Sequence, residues 1–114
     1  MREHLDIGEI KRAEISARFI EQTRRVVMEK IIDEILKTVP NNAVFDSHTI
    51  IEIIINNYSD FYLQCYNHSS TELYHSYIAQ LIAKYELSML ERIGQSWSRN
   101  LHGKYSICTC WKKK

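Results

Sequence analysis

Apolar residues recur at three- and four-residue steps over residues 8–39, the spacing that predicts one face of an α-helix. Pro40 and the following Asn41-Asn42 predict where this helix ends. Before Phe19 the pattern is weaker and densely charged, so residues 1–18 form either a separate short helix or an arm extending beyond the core. The apolar positions that carry the periodicity are Phe19, Ile20, Val26, Val27, Ile31, Ile35, Leu36 and Val39.

The middle of the chain predicts a short strand and two or three further helices. Residues 43–45 form an apolar triplet long enough for a strand, and Asp46-Ser47 then offers an N-cap for a helix rich in isoleucine. Residues 61–66 either continue that helix or form a separate short one. Ser69-Ser70-Thr71-Glu72 fits a capping box, which predicts a last helix from about residue 71 to residue 85 or 86.

This last helix has two distinct faces. Its predicted buried stripe is Leu73 or Tyr74, Tyr77/Ile78, Leu81/Ile82 and Tyr85. Its opposite face carries Glu72, His75, Ser76, Ala79, Gln80 and Lys84.

The last segment of the chain predicts a β-hairpin. Residues 93–99 and 105–111 are rich in aromatic, β-branched and hydroxyl side chains, and Gly103 between them suits a tight reversal. With His102-Gly103 as the loop, Trp111 faces Gly94 and Trp97 faces Cys108 across the ladder. We expect both tryptophans to be core residues that attach the hairpin to the helices. The alternative is a stacking platform for single-stranded nucleic acid.

The predicted order is helix, short strand, helix, helix and hairpin, mainly α with a C-terminal β-hairpin. Over residues 20–112 this layout resembles the winged helix-turn-helix family, although residues 59–70 are longer than the turn that usually joins its two central helices. The strings His75-Ser76-Tyr77-Ile78 and Ser98-Arg99-Asn100-Leu101-His102-Gly103-Lys104-Tyr105-Ser106, together with Trp111, resemble small uncharacterised proteins of bacteria and their mobile elements. That second resemblance implies no activity.

Length, composition and charge add constraints. The 114 residues suit a single domain, and we find no apolar run long enough for a membrane span. The charged first residues and the odd number of three cysteines favour a reducing, cytoplasmic location. The net charge of +1 conceals segregation: residues 31–91 have two basic and eight acidic side chains, whereas residues 92–114 have six basic and no acidic ones. A polyanion would therefore dock at the hairpin.

The winged-helix resemblance implies double-stranded DNA as the partner. The third helix would enter the major groove, where Ser76 and Gln80 share a face and glutamine can pair with adenine. The hairpin and tail would contact the backbone or the minor groove. The opposing interpretation is an ordinary solvated helix face and a soluble lysine tail. The candidate DNA-binding residues are His75, Ser76, Gln80, Lys84, Arg99, His102, Lys104, Lys112 and Lys113.

Metal binding and catalysis are weakly indicated. Cys65, His68, Cys108 and Cys110 have the side chains for a tetrahedral zinc site, but the C-x-C spacing is tighter than usual, which favours free thiols. Gly-rich phosphate loops and hydrolase motifs are absent from the sequence. His48 is expected to be a local neighbour of a helix cap. We predict neither an enzyme nor a cofactor.

Two functions remain open from sequence. The first is a cytoplasmic DNA-binding protein, either a transcriptional regulator or a mobile-element accessory protein. The second is a non-catalytic protein-interaction or inhibitory module on the same fold, favoured by the acidic middle of the chain. The long first helix also predicts a homodimer, because its N-terminal half has little core to pack on.

Overall fold

The computed structural model describes residues 7–66, 70–100 and 103–114, with side chains from residue 22 onward. Within them, helices α1 (Ile7–Thr38), α2 (Ser47–Asn57), α3 (Ser59–Cys65) and α4 (Thr71–Ala83) make the protein mostly helical. Strand β1 (Val44–Asp46) precedes α2, and a 3-10 turn (Lys84–Leu87) leads from α4 into strands β2 (Leu90–Arg99) and β3 (Tyr105–Lys113). The strands form an antiparallel sheet in the order β1-β3-β2.

Local sequence signals explain most of the helix boundaries. α1 ends at Thr38, just before Pro40, and runs without a break across residue 18, so the alternative of a separate short N-terminal helix is wrong. The side chain of Asp46 accepts a hydrogen bond from the N–H of Thr49 and caps α2. At Tyr58 the backbone leaves the helical region, with φ of −133°, and this break makes residues 59–65 a separate helix.

The core lies between α1, α2 and α4 and the base of the sheet. The C-terminal half of α1 buries the predicted isoleucines, but Val26 is 54% exposed, and on α4 Tyr74 is buried while Leu73 is 65% exposed. The hydrophobic effect at this junction holds the helices to the sheet. The buried set is Met28, Ile31, Ile32, Ile35, Leu36, Phe45, Ile50, Ile51, Ile54, Tyr74, Ile78, Leu81, Ile82, Leu90 and Trp111.

The hairpin register differs from the predicted one. Arg99 pairs with Tyr105, Trp97 pairs with Ile107, and a bulge between Arg92 and Gly94 places Trp111 opposite Arg92. The predicted pairs of Trp111 with Gly94 and of Trp97 with Cys108 are therefore wrong. The loop is longer than two residues, because the N–H of Asn100 donates to the carbonyl of Lys104 at 2.8 Å. Gly103, with φ of 74°, supplies the left-handed residue of this loop.

The two tryptophans have opposite environments. Trp111 is fully buried at the base of β3, with its ring centroid 5.9 Å from that of Phe45 on β1. Trp97 is 67% exposed, so the prediction that both are core residues is correct only for Trp111. The two tryptophans differ in their distance from the helices. Phe45 and the helices cover the base of the hairpin, where Trp111 lies, whereas Trp97 lies two residue pairs from the loop.

None of the helices in the described part of the chain combines the length and the apolar composition that a membrane span requires. The cytoplasmic location stays a prediction.

Candidate nucleic-acid interface

α4 presents the polar face that the sequence predicted. Ser70 caps the helix by accepting the N–H of Leu73 at 3.2 Å, and burial of Tyr74, Ile78, Leu81 and Ile82 fixes the rotation of α4. This rotation leaves Ser76 and Gln80 exposed. Glu72 is exposed in the first turn of the same helix, where its carboxylate would oppose an approaching phosphate.

His75 lies at the edge of this polar face and is engaged in packing. Its Nε2 is hydrogen-bonded to the hydroxyl of Tyr62 at 2.8 Å, and its ring lies 6.1 Å from that of Tyr74. Tyr62 also packs on Tyr74 at 5.0 Å, and burial raises the pKa of both phenols. His75 therefore belongs to an aromatic cluster that joins α3 to α4, which the sequence did not reveal.

Lys84 is exposed but paired. Its Nζ lies 3.2 Å from a carboxylate oxygen of Glu29 on α1, and Arg25 approaches the same carboxylate at 3.5 Å. Such surface pairs contribute little to stability, but the acidic partner offsets much of the positive potential of Lys84. Lys84 is therefore a weaker candidate for a phosphate contact than Arg99 and Lys104, for which no ion pair is found among the described residues.

The far end of the hairpin carries two exposed cations. Arg99 and Lys104 are both exposed, and the guanidinium Nε of Arg99 donates to the carbonyl of Gly103 at 3.4 Å. The side chain of Asn100 accepts the N–H of Lys104 at 3.2 Å, which holds this residue beside Arg99. Arg92 pairs instead with Glu86, at 2.8 Å. His102, also predicted to bind DNA, lies outside the described residues.

Two predicted phosphate contacts at the base of β3 differ in their surroundings. Lys112 is half-buried opposite Val44 and Glu91. Lys113 is only 8% exposed, and its Nζ donates to the carbonyls of Leu36 and Val39, at 2.8 and 2.9 Å. The prediction that Lys113 lies on the binding surface is a mistake, because its ammonium occupies the C-terminal end of α1, where backbone carbonyls need donors.

The two faces of the hairpin contrast with one another. The covered face, defined by Ser96, Ser98, Ser106 and Cys108, contacts the start of α2. The open face, defined by Gln95, Trp97, Arg99, Tyr105, Ile107 and Thr109, has large side chains in solvent: Trp97, Tyr105 and Ile107 are 67%, 68% and 51% exposed. Exposed large apolar groups grouped in one place are typical of a binding surface.

His48 attaches the covered face to α2. Its Nδ1 is hydrogen-bonded to the hydroxyl of Ser98, and its Nε2 lies 3.4 Å from the hydroxyl of Ser106. The sequence predicted a local neighbour of the helix cap, and His48 does lie beside the Asp46 cap, but it also contacts both hairpin strands, which the sequence did not reveal. The sequence signal for this polar face is the set of serines at residues 96 and 98 of β2 and residue 106 of β3.

Asp46 joins the same network and stabilises both α2 and the hairpin. Its carboxylate accepts the N–H and the hydroxyl of Thr49, each at 2.9 Å, and the hydroxyl of Ser96 at 3.3 Å. Burial alone would raise the pKa of Asp46, but hydrogen bonds, chiefly from the Thr49 N–H, bring it below the usual value of 3.8. The network holds the hairpin at a fixed angle to the helices.

We expect Asp46→Ala to lower the free energy of unfolding by about 1 kcal/mol near neutral pH, because it removes the cap. Asp46→Asn keeps the cap and removes the charge, so its cost is smaller.

The same pair of proteins tests the pH dependence. Because the pKa of Asp46 is lower in the folded state than in the unfolded state, its charge stabilises the fold above pH 3.8, and this contribution is lost as pH falls through the folded-state pKa. Urea titrations from neutral to acid pH would show wild type and Asp46→Asn converging below 3.8; a constant gap would contradict the argument.

The cysteines do not assemble a metal site among the described residues. Cys65 donates to the carbonyl of Arg24 at 3.6 Å, whereas Cys108 lies 3.5 Å from the hydroxyl of Ser98. Burial raises the pKa of the Cys65 and Cys110 thiols, which disfavours the thiolate that binds metal. No group of three metal-binding side chains occurs in the described part, and His68 lies outside it.

α4 and the hairpin bound a common groove of about 290 Å³. Ser76 and Ala79 line it from α4, and residues 106–109 line it from β3. The start of α2 forms its floor with Ser47 and Ile51. The polar face of α4 and the hairpin are therefore neighbours across one concave surface.

The chain matches no protein-family model, no curated protein and no solved structure.

Proposed function

We propose that this protein is a winged-helix-like module that binds double-stranded DNA, as a transcriptional regulator or a mobile-element accessory protein. The observation that carries the proposal is the groove between α4 and β3, because it brings the exposed face of α4 beside the hairpin, so that α4 in the major groove would place the hairpin end at the adjoining backbone. The groove itself is lined by Glu72 and by no lysine or arginine, so the phosphate contacts would lie beyond it, at Arg99 and Lys104. The order of elements and the sheet order β1-β3-β2 also fit the winged-helix layout.

Charge assigns separate roles to the two walls. The hairpin supplies Arg99 and Lys104 without a nearby carboxylate in sequence, so it provides the phosphate contacts and the salt dependence. α4 supplies Ser76 and Gln80, whose short polar groups are able to reach base edges in the major groove. Because Glu72 repels phosphate and Lys84 is paired with Glu29, α4 contributes little to affinity by itself.

We expect the double substitution Arg99→Ala, Lys104→Ala to weaken binding to a short DNA duplex about tenfold or more at low salt. Removing two phosphate contacts also reduces the slope of log K against log salt by about 2. Fluorescence anisotropy with a labelled duplex at several salt concentrations measures both quantities. The matched control, Arg24→Ala, Lys30→Ala, removes two exposed cations from α1 for which no ion pair is found among the described residues, and leaves the hairpin intact. Identical salt slopes in wild type and the hairpin variant would refute the proposal.

The second candidate function is a non-catalytic protein-interaction or inhibitory module. The observation that favours it is the exposure of Trp97, Tyr105 and Ile107 on one face, since aromatic side chains are enriched at protein interfaces. Failure of the protein to bind duplex DNA even at low salt would favour this module. A homodimer through α1 stays a prediction, because the side chains of residues 7–21 lie outside the described part.

A further inference from the structure

The open face of the hairpin reverses the usual order of burial. Its neighbours on the covered face are small and polar, yet they are half-buried or buried beneath His48 and Asp46. The large rings of Trp97 and Tyr105 are about two-thirds exposed instead. Burial of a large aromatic ring contributes strongly to the free energy of folding or of binding. Two such rings exposed side by side therefore indicate a surface that a ligand covers.

The register brings these side chains together. Asn100 and Lys104 form a hydrogen-bonded pair, so the adjacent pair of Arg99 and Tyr105, and the pair of Trp97 and Ile107, are non-hydrogen-bonded pairs with close side chains. Trp97 and Tyr105 then lie on a diagonal, where neighbours about 7–8 Å apart are within reach of aromatic side chains. Neither ring stacks on another ring among the described residues.

Charge indicates what the face binds. Arg99 lies directly across the ladder from Tyr105, and Lys104 precedes Tyr105 in the chain. Residues 92–114 contain no aspartate or glutamate. A surface that alternates exposed rings with cations and excludes acids is complementary to a ligand with flat bases and a phosphate backbone.

We propose that the open face binds unpaired nucleobases of single-stranded DNA, with Trp97 and Tyr105 stacking on bases and Arg99 and Lys104 contacting the adjoining phosphates. This inference goes beyond the proposed duplex binding by adding unpaired strands as a second ligand, and it rests on the proposed function only in sharing Arg99 and Lys104 as phosphate contacts. Bases inside an intact duplex are already stacked on one another, and exposing them costs a few kcal/mol. The rings therefore favour single strands, or duplexes with frayed or unpaired segments, over intact duplex.

The two tryptophans provide a direct test. Trp97 is exposed and Trp111 is fully buried, so stacking of a base on Trp97 quenches only the exposed fraction of the fluorescence. We expect an oligothymidylate of about 15 nucleotides to quench wild-type emission, and Trp97→Phe to abolish the quenching while keeping most of the affinity. Trp97→Ala and Tyr105→Ala should each weaken oligothymidylate binding roughly 5- to 150-fold.

The control for these variants is Leu63→Ala on α3, which removes an equally exposed apolar side chain, 68% exposed, far from the hairpin in sequence. Thermal melts followed by circular dichroism would check that each variant is folded. We expect all of them to fold, because Trp97 and Tyr105 are exposed and contribute little to the core. Binding of intact duplex DNA, measured in parallel, should change less than binding of the single strand in the aromatic variants.

Three outcomes would overturn the inference. Unchanged oligothymidylate affinity in Trp97→Ala would show that the ring takes no part. Self-association lost in Trp97→Ala without a change in oligothymidylate affinity would assign the face to a second copy of the chain. A blue shift of Trp97 emission on anionic lipid vesicles, without any on oligothymidylate, would assign it to a membrane surface. None of these three outcomes bears on duplex binding by Arg99 and Lys104. Duplex binding is tested separately, by the salt slope of the Arg99→Ala, Lys104→Ala variant.

Discussion

Trp111→Ala is expected to lower the free energy of unfolding by about 3–5 kcal/mol, the range for truncating a large buried ring. Trp111 is fully buried, packs on Phe45 at the β1–β3 junction, and donates its indole N–H to a carboxylate oxygen of Glu86 at 2.8 Å. It connects the sheet to the helical core. Because native proteins are stable by only about 5–15 kcal/mol, this change leaves a small margin. Urea unfolding followed by circular dichroism measures the loss without relying on tryptophan emission.

Two further variants separate the contributions at this position. Trp111→Phe retains most of the apolar contact and removes the N–H that the Glu86 carboxylate accepts, so it should cost about 1.5–3 kcal/mol, the range for a hydrogen bond to a charged group. Glu86 keeps Arg92, whose hydrogen bond is the main reason that the pKa of Glu86 is lowered. Trp97→Ala is the matched control on the same hairpin, with an expected cost below about 1 kcal/mol. Similar losses in Trp111→Ala and Trp97→Ala would contradict the assignment of the core.

Element types were predictable because they depend on local signals. Helical periodicity before Pro40, the caps at Asp46 and Ser70, and the glycine at residue 103 each act within a few residues. The sequence left open whether residues 61–66 continue α2 or form a separate helix, and the break at Tyr58 decides for the separate helix. Tyr58 and Tyr62 on either side of the break both pack against the core, a tertiary contact that a local pattern does not reveal.

Register could not be derived from composition alone. A loop of two residues and a loop of three residues closed by Asn100 and Lys104 both fit the sequence around Gly103, and they differ by one residue in every pair. The bulge between Arg92 and Gly94 then shifts the base of the hairpin again. Pairing of β1 with β3 adds a further constraint, since Phe45 must lie opposite Trp111 to pack on it. Such constraints are tertiary and are invisible in a local pattern.

The same limit applies to the candidate site. Arg99 and Lys104 were identified from charge and are exposed, because loop cations have no reason to be buried. Charge did not reveal that Lys84 pairs with Glu29, or that His48 reaches two serines 50 and 58 residues away. The exposure of Trp97 was also missed, because an alternating strand gives the same sequence pattern whether or not anything covers its apolar face.

Lys113 is the residue for which sequence and structure make opposite, measurable predictions. As a phosphate contact, its removal would reduce the salt slope of duplex binding by about 1 and leave stability unchanged. In the structure its ammonium donates to the carbonyls of Leu36 and Val39 at the end of α1. Lys113→Met keeps the aliphatic stem and leaves these carbonyls without that donor.

We therefore expect Lys113→Met to lower the free energy of unfolding by about 1.5–3 kcal/mol, the contribution of a hydrogen bond from a charged donor, because the Val39 carbonyl loses the ammonium while the Leu36 carbonyl still accepts the N–H of Val39. The salt slope of duplex binding should stay at the wild-type value wherever the variant is folded. Lys114→Met, which removes an exposed lysine from the next position, is the control and should change stability by less than about 0.5 kcal/mol. Urea unfolding and the salt titration distinguish the two roles of Lys113. If Lys113→Met and Lys114→Met were equally stable and Lys113→Met had the smaller salt slope, Lys113 would be a phosphate contact and not a structural residue.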